Sequence, residues 1–248
     1  MKGWRFEYLQ DLVSPAELPV EMNACKAQQP RRSKGSVQTC KKLLPRVLAS
    51  DLPWWIKVES TFHLTANLAY PLMVVLAALL FPAMVMRYSM GWQEMLVVDL
   101  PIFLAAFLSV CSFYVSSQKE LFPDSWRARL KYIPVVLGIG IGISVNNTVA
   151  VVEGLFGRPS EFKRTPKYRI EGAGDEWKQK RYKGAVGWVP YAELALGLYF
   201  SIVALYAVAY GLFGALPFIA LFQLGFLYTA GMSLVQGVDW LVPRQQEA

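Results

Sequence analysis

The sequence predicts an all-α polytopic membrane protein, with about four transmembrane helices and flanking interfacial amphipathic helices. Three observations predict it. The 248-residue chain is 54% hydrophobic and its mean hydropathy is +0.32, too apolar for an ordinary soluble domain. Its charges are unevenly spread, leaving long stretches almost free of them. The basic residues behind the net charge of +7 flank those apolar stretches, the pattern that orients membrane proteins. A nucleic-acid module would gather its cations on one soluble face, so no nucleic-acid partner is expected.

The chain opens with MKGWRFEYLQDL, which has neither an apolar h-region nor a small-residue cleavage site, so no secretory signal is expected. Residues 38–60 predict an interfacial helix. Leu43, Leu44, Val47 and Leu48 make an apolar stripe against Lys41, Lys42 and Arg46. Pro45 is placed to bend it, and Trp54 and Trp55 suit the headgroup layer. Spans are then expected at 62–86, 95–117, 191–211 and 215–235, each roughly 20 residues or slightly longer, enough to cross about 30 Å of hydrocarbon.

Residues 132–152, YIPVVLGIGIGISVNNTVAVV, are as apolar as a span. Both their flanks are basic, however. Lys119, Arg127, Arg129 and Lys131 precede them, and a long run from Arg158 to Lys183 follows. The charge rule places both flanks inside, which predicts an interfacial or re-entrant helix with a polar patch at Ser144, Asn146 and Asn147. Residues 1–60, 116–131, 153–190 and the tail then lie inside, and of the 25 Lys and Arg only Arg87 falls outside. The expected location is the cell inner or plasma membrane, with both termini cytoplasmic.

Several features have bland readings. GIGIGIS at 138–144 lacks the spacing, strand and lysine of a phosphate loop. Gly138 and Gly142, four apart, suit close helix packing. Asn146-Asn147-Thr148 matches a glycosylation sequon at the wrong depth. The lone His63 reads as an interfacial side chain, and Cys25, Cys40 and Cys111 as free thiols, so no metal site is expected. Asp99 is an acid within a span but close enough to its outer end to reach water. The loop 153–190 carries EFKRTPKYRI. A solvated basic loop is one reading. The other is a lid, since cations beside a threonine hydroxyl can hold a diphosphate.

Two motifs and the topology together resemble the C-terminal half of the processive, membrane-embedded family 2 glycosyltransferases, the cellulose synthase and glucomannan synthase group. Gln28, Gln29, Pro30, Arg31 and Arg32 stand where that family closes its catalytic domain with Gln-x-x-Arg-Trp. Phe162, Lys163, Arg164, Thr165, Pro166 and Lys167 match its Phe-x-x-Thr-Pro-Lys gating loop. The likeness runs from about residue 2 to 236. It implies that 1–37 is a remnant of an α/β GT-A catalytic domain. After it come the interfacial helix at 38–60, a helix pair at 62–117, the interfacial helix and gating loop at 118–190, a second pair at 191–236 and a tail at 237–248.

The resemblance implies polymerisation of a nucleotide sugar into a β-linked polysaccharide, exported through the spans. Gln28, Gln29, Arg31 and Arg32 would line the donor and acceptor site, and Phe162 to Lys167 would close over the diphosphate. Trp92, Trp188 and Tyr199 are aromatics that could stack on sugars. Implied partners are the nucleotide-sugar donor, the growing glycan, the lipid bilayer and a separately encoded catalytic half. The complete enzyme would use a divalent cation, Mg or Mn. Two departures stand out. Arg32 replaces the family's Trp, and the chain contains neither Asp-x-Asp nor Thr-Glu-Asp. It therefore offers no general base and no metal ligands, and the isolated chain is expected to be inactive. Two other classes remain open: a non-catalytic glycan-channel or assembly subunit, and a fragment of a lipid-phosphate sugar transferase.

Overall fold

The computed structural model describes residues 7–9, 12, 14, 18–19, 21–90, 97, 100–157 and 187–238. Regular structure among them is entirely helical. In chain order the helices are α1 (Met22–Leu48), α2 (Trp54–Thr65), α3 (Ala69–Met90), α4 (Leu100–Leu121), α5 (Trp126–Arg129), α6 (Ile133–Gly142), α7 (Ser144–Leu155), α8 (Val189–Ala209) and α9 (Leu216–Val238). A 3₁₀ turn at Ala66–Leu68 links α2 to α3, and Gly211, with φ of 71°, turns the chain between α8 and α9.

Three helical stretches are long and apolar enough to cross a membrane: Trp54–Ser89, Val189–Ala209 and Phe213–Gly237. A fourth arises if Trp126–Gly142 and Ser144–Leu155, bent by 46° between them, count as one broken span. The chain thus has the helices of an integral membrane protein. Two of the expected spans, 191–211 and 215–235, match these stretches to within about two residues at each end, and 62–86 lies inside the longer Trp54–Ser89. The fourth, 95–117, overlaps α4, a helix of 22 residues.

The interfacial helix expected over 38–60 is instead two helices. α1 begins at Met22, well upstream, and stops at Leu48; α2 starts after Pro53. The break lies at Ala49–Pro53, where a proline disfavours helix in the residue before it. The early start escapes hydropathy because the packed face of α1 is polar: Asn23, Lys26, Ser33 and Lys34 are all buried.

The chain divides into two compact units: Met1–Pro71, Asn146–Gly187 and Met232–Ala248 make one, and Leu72–Val145 with Trp188–Gly231 the other. The second unit holds an apolar core of Ala77, Met84, Ile141, Val145, Phe200, Val203, Ala207, Ile219, Phe222 and Phe226. Phe200 stacks on Phe222 and Phe226 at centroid distances of 5.0 and 6.0 Å, a favourable aromatic range.

Contacts fix the directions of these helices. Gly197 lies against Leu227, and Gln223 Nε2 donates to Ser201 Oγ at 2.8 Å, so α8 and α9 are antiparallel. Tyr199 meets Phe81 while Tyr210 meets Tyr88, so α3 runs parallel to α8. Gly138 lies against Leu221 and Gly225, and Gly142 against Gly225 and Thr229, so α6 runs parallel to α9. A Cβ on Gly225 would strike the Gly138 carbonyl oxygen, and one on Gly142 the Gly225 carbonyl oxygen and the Thr229 side chain. This is backbone-to-backbone packing of the small-residue kind found between membrane helices.

Candidate functional site

In the first unit α1 is the organising element, and its two faces differ. The packed face carries Asn23, Lys26, Ser33, Lys34 and Val37. These recur at helical spacing on one side. Asn23 Nδ2 donates to the Ser233 carbonyl at 3.0 Å and Lys26 Nζ to Ser233 Oγ at 2.7 Å. The Met22 backbone N–H donates to Gln236 Oε1 at 2.7 Å. Those partners belong to the last turns of α9. Further along, Lys34 Nζ pairs with Glu153 Oε2 at 2.9 Å, and Lys41 Nζ donates to the Leu155 carbonyl at 2.7 Å, which caps the end of α7. Gly154 allows this approach, with Val37 3.2 Å from where its Cβ would stand.

Pro30 interrupts α1 and has no N–H to give the Lys26 carbonyl four residues earlier. Asn146 Nδ2 donates to that carbonyl instead, at 2.9 Å. The neighbouring Asn147 is fully buried, and neither atom of its amide has a hydrogen-bond partner among the described residues.

The sequence-predicted residues lie on α1. Gln28, Arg31 and Arg32 fall within one arc, away from the packed stripe, and Gln29 lies about a quarter-turn aside. Gln28, Gln29 and Arg31 are half-buried and Arg32 is exposed. Arg31 Nε donates to the Ala27 carbonyl at 3.2 Å, which lays its side chain back along the helix. Cys25 is one turn before Gln28 and Gln29. Burial pushes its thiol above the ordinary range, while Lys26 and Arg32 pull in the opposite direction. Two guanidinium groups and a Gln amide on one helical face can neutralise and hydrogen-bond a phosphate-bearing ligand.

Phe162, Lys163, Arg164, Thr165, Pro166 and Lys167 lie outside the described residues, as do Trp92 and Asp99. Trp188 is exposed at the start of α8. Tyr199 has a structural use. Its hydroxyl donates to the Ala78 carbonyl at 2.9 Å and accepts from the Phe81 N–H at 3.1 Å. Ala78 lies four residues before Pro82, which sits inside α3, so Tyr199 fills the gap that proline opens. Among the described residues no three His, Cys, Asp or Glu side chains converge on a cation.

Sequence reasoning missed the packed face of α1 and its partners Asn146, Glu153 and Ser233. The signal was present as the spacing 23, 26, 30, 33, 34, 37, but its members are mostly polar. No protein-family model matches the chain, and no solved structure matches it.

Proposed function

We propose that this chain is the membrane-embedded C-terminal part of a processive family 2 glycosyltransferase that builds a β-linked polysaccharide from a nucleotide sugar and exports it. The observation that carries the reading is the register of α1. Gln28, Arg31 and Arg32 share one face, and the opposite face is held by α7 and the end of α9. A substrate-binding face backed by the part-buried Lys34–Glu153 ion pair and by hydrogen bonds is the support that precise ligand geometry needs. α7 precedes the segment with FKRTPK in the sequence.

On this reading Arg31 and Arg32 balance diphosphate charge, Gln28 and Gln29 contact donor or acceptor hydroxyls, and Phe162 to Lys167 close over the nucleotide. The apolar helices enclose the glycan path. The catalytic carboxylate and the Mg or Mn ligands come from an α/β domain of which residues 1–37 are the last part, or from a separately encoded half. Both termini and the basic segment from Arg158 to Lys183 are cytoplasmic.

The reading frame upstream of codon 1 tests this. An in-phase frame encoding Asp-x-Asp and Thr-Glu-Asp supports the transferase. A stop codon there, with no partner gene supplying those motifs, withdraws it and leaves a glycan-channel or assembly subunit. A lipid-extractable monosaccharide product, in place of an insoluble polymer, would indicate the lipid-phosphate sugar transferase.

A further inference from the structure

We propose that the end of α1 and the start of α2 form a docking surface for anionic phospholipid headgroups. The proposal stands on the membrane character of the chain alone, independent of the transferase reading. The two helices meet at the break around Asp51, where Lys57 Nζ closes the end of α1 on the Leu48 carbonyl at 2.9 Å. The junction exposes large apolar side chains: Leu43 at 40%, Leu48 at 49%, Trp54 at 70%, Trp55 at 58% and Val58 at 44%. The rings of Trp54 and Trp55 pack edge-on at 6.0 Å. Lys42 and Arg46 are exposed beside them, and Arg46 lies in the last turn of α1.

What covers this surface follows from the helix it belongs to. Trp54–Ser89 is one helical stretch of 36 residues, about 54 Å long at 1.5 Å per residue. The hydrocarbon core is about 30 Å thick. Roughly a third of the stretch therefore projects beyond the core, and its most polar third is the α2 end, with Lys57, Glu59, Ser60, Thr61 and His63. That sets Trp54, Trp55 and the adjoining turn of α1 at headgroup level. Tryptophan suits this layer because its ring is apolar and its N–H is not. The cations Lys41, Lys42, Arg46 and Lys57 outnumber the acids Asp51 and Glu59, so the complementary headgroup is anionic. Each such cation contributes measurably at an anionic surface.

The full-length chain in phosphatidylcholine vesicles provides the test. A fixed small fraction of tail-brominated phosphatidylglycerol, or of tail-brominated phosphatidylcholine, quenches nearby tryptophans. The proposal expects at least about twofold greater quenching by the brominated anionic lipid, a lower bound on the enrichment that two surface cations produce. That excess should disappear in Trp54→Phe/Trp55→Phe and shrink in Lys42→Gln/Arg46→Gln. Brominated phosphatidylcholine quenching of the remaining tryptophans reports that each variant is inserted. Equal quenching by the two lipids would overturn the proposal. So would an excess that survives loss of both tryptophans, or no contribution from Trp54 and Trp55 with either lipid. The last result would mean that a second copy or another protein covers the patch.

Discussion

Two prolines inside helices receive the same remedy from different residues. Pro30 orphans the Lys26 carbonyl and Asn146 donates to it; Pro82 orphans the Ala78 carbonyl and the Tyr199 hydroxyl donates to it. Restoring the missing N–H should make each donor dispensable. Asn146→Ala is expected to cost about 1 kcal/mol, since it removes a part-buried hydrogen bond to the Lys26 carbonyl. The same change in a Pro30→Ala background should cost close to nothing. Tyr199→Phe against Pro82→Ala should behave alike but more weakly, because hydrogen bonds between membrane helices average about 0.6 kcal/mol. Thermal unfolding in detergent measures both cycles, and additive costs would show that neither side chain serves its proline. A second prediction concerns Cys25, whose thiol is raised by burial and lowered by Lys26 and Arg32. Arg32→Gln removes one of the lowering charges. The pH midpoint for alkylation of Cys25 by iodoacetamide should then move upward; an unchanged profile would mean that Arg32 points away from the thiol.

At the scale of elements, glycines in one short helix should differ sharply in what they tolerate. Gly142→Ala and Gly225→Ala each drive a methyl into backbone across the α6–α9 contact. Overpacking of this kind typically costs about 1–3 kcal/mol. Gly140 has open space around the added methyl and Gly138 meets only ordinary contacts at 3.8 Å, so alanine at either should be neutral or mildly stabilising through helix propensity. Monodispersity and melting temperature of the four variants check the ranking, and equal losses at Gly140 and Gly142 would discredit the contact. The sequence showed part of this. Gly138 and Gly142 read correctly as packing residues because their spacing sits in an apolar run, whereas their partner Gly225 has no such neighbour in sequence. The spans were legible for the same reason, since hydropathy reports burial in lipid directly. α1 was not legible over Met22–Val37, because its buried face is held by Lys34–Glu153, Lys26–Ser233 and Asn23–Ser233. Polar packing leaves a period but no apolar signal. The Gln28–Arg31 face was found only through resemblance, for nothing in its composition separates it from a solvated helix.

For the whole molecule, the helix directions lead to a prediction of sidedness that differs from the one charge alone gives. α8 and α9 are antiparallel and α6 runs parallel to α9, with Gly138 level with Leu221 and Gly142 with Thr229. Extending α6 backward to Trp126, the start of its helical stretch, brings that residue to the end of the bundle where α8 meets α9. The step from Leu121 to Trp126 spans at most about 18 Å, too little to return from the opposite face. The prediction is that α4 is not a simple second crossing and that the bent pair Trp126–Gly142 and Ser144–Leu155, apolar enough together to be a broken span, supplies that crossing instead. Ser125 is then expected on one side of the membrane and Gly187 on the other. The earlier charge-based topology put both inside. On this prediction Arg127, Arg129 and Lys131 would be external, and the longer, more basic run from Arg158 to Lys183 would still satisfy the charge rule inside. Arg129 also has a local partner, its guanidinium lying 3.6 Å over the Phe122 ring. Ser125→Cys and Gly187→Cys, each in a chain with Cys25, Cys40 and Cys111 changed to Ser, settle the matter with a membrane-impermeant maleimide on intact cells. Ser125→Cys should label from outside and Gly187→Cys only after permeabilisation. If both are protected until permeabilisation, α4 crosses the membrane and the parallel register of α6 belongs to a re-entrant hairpin.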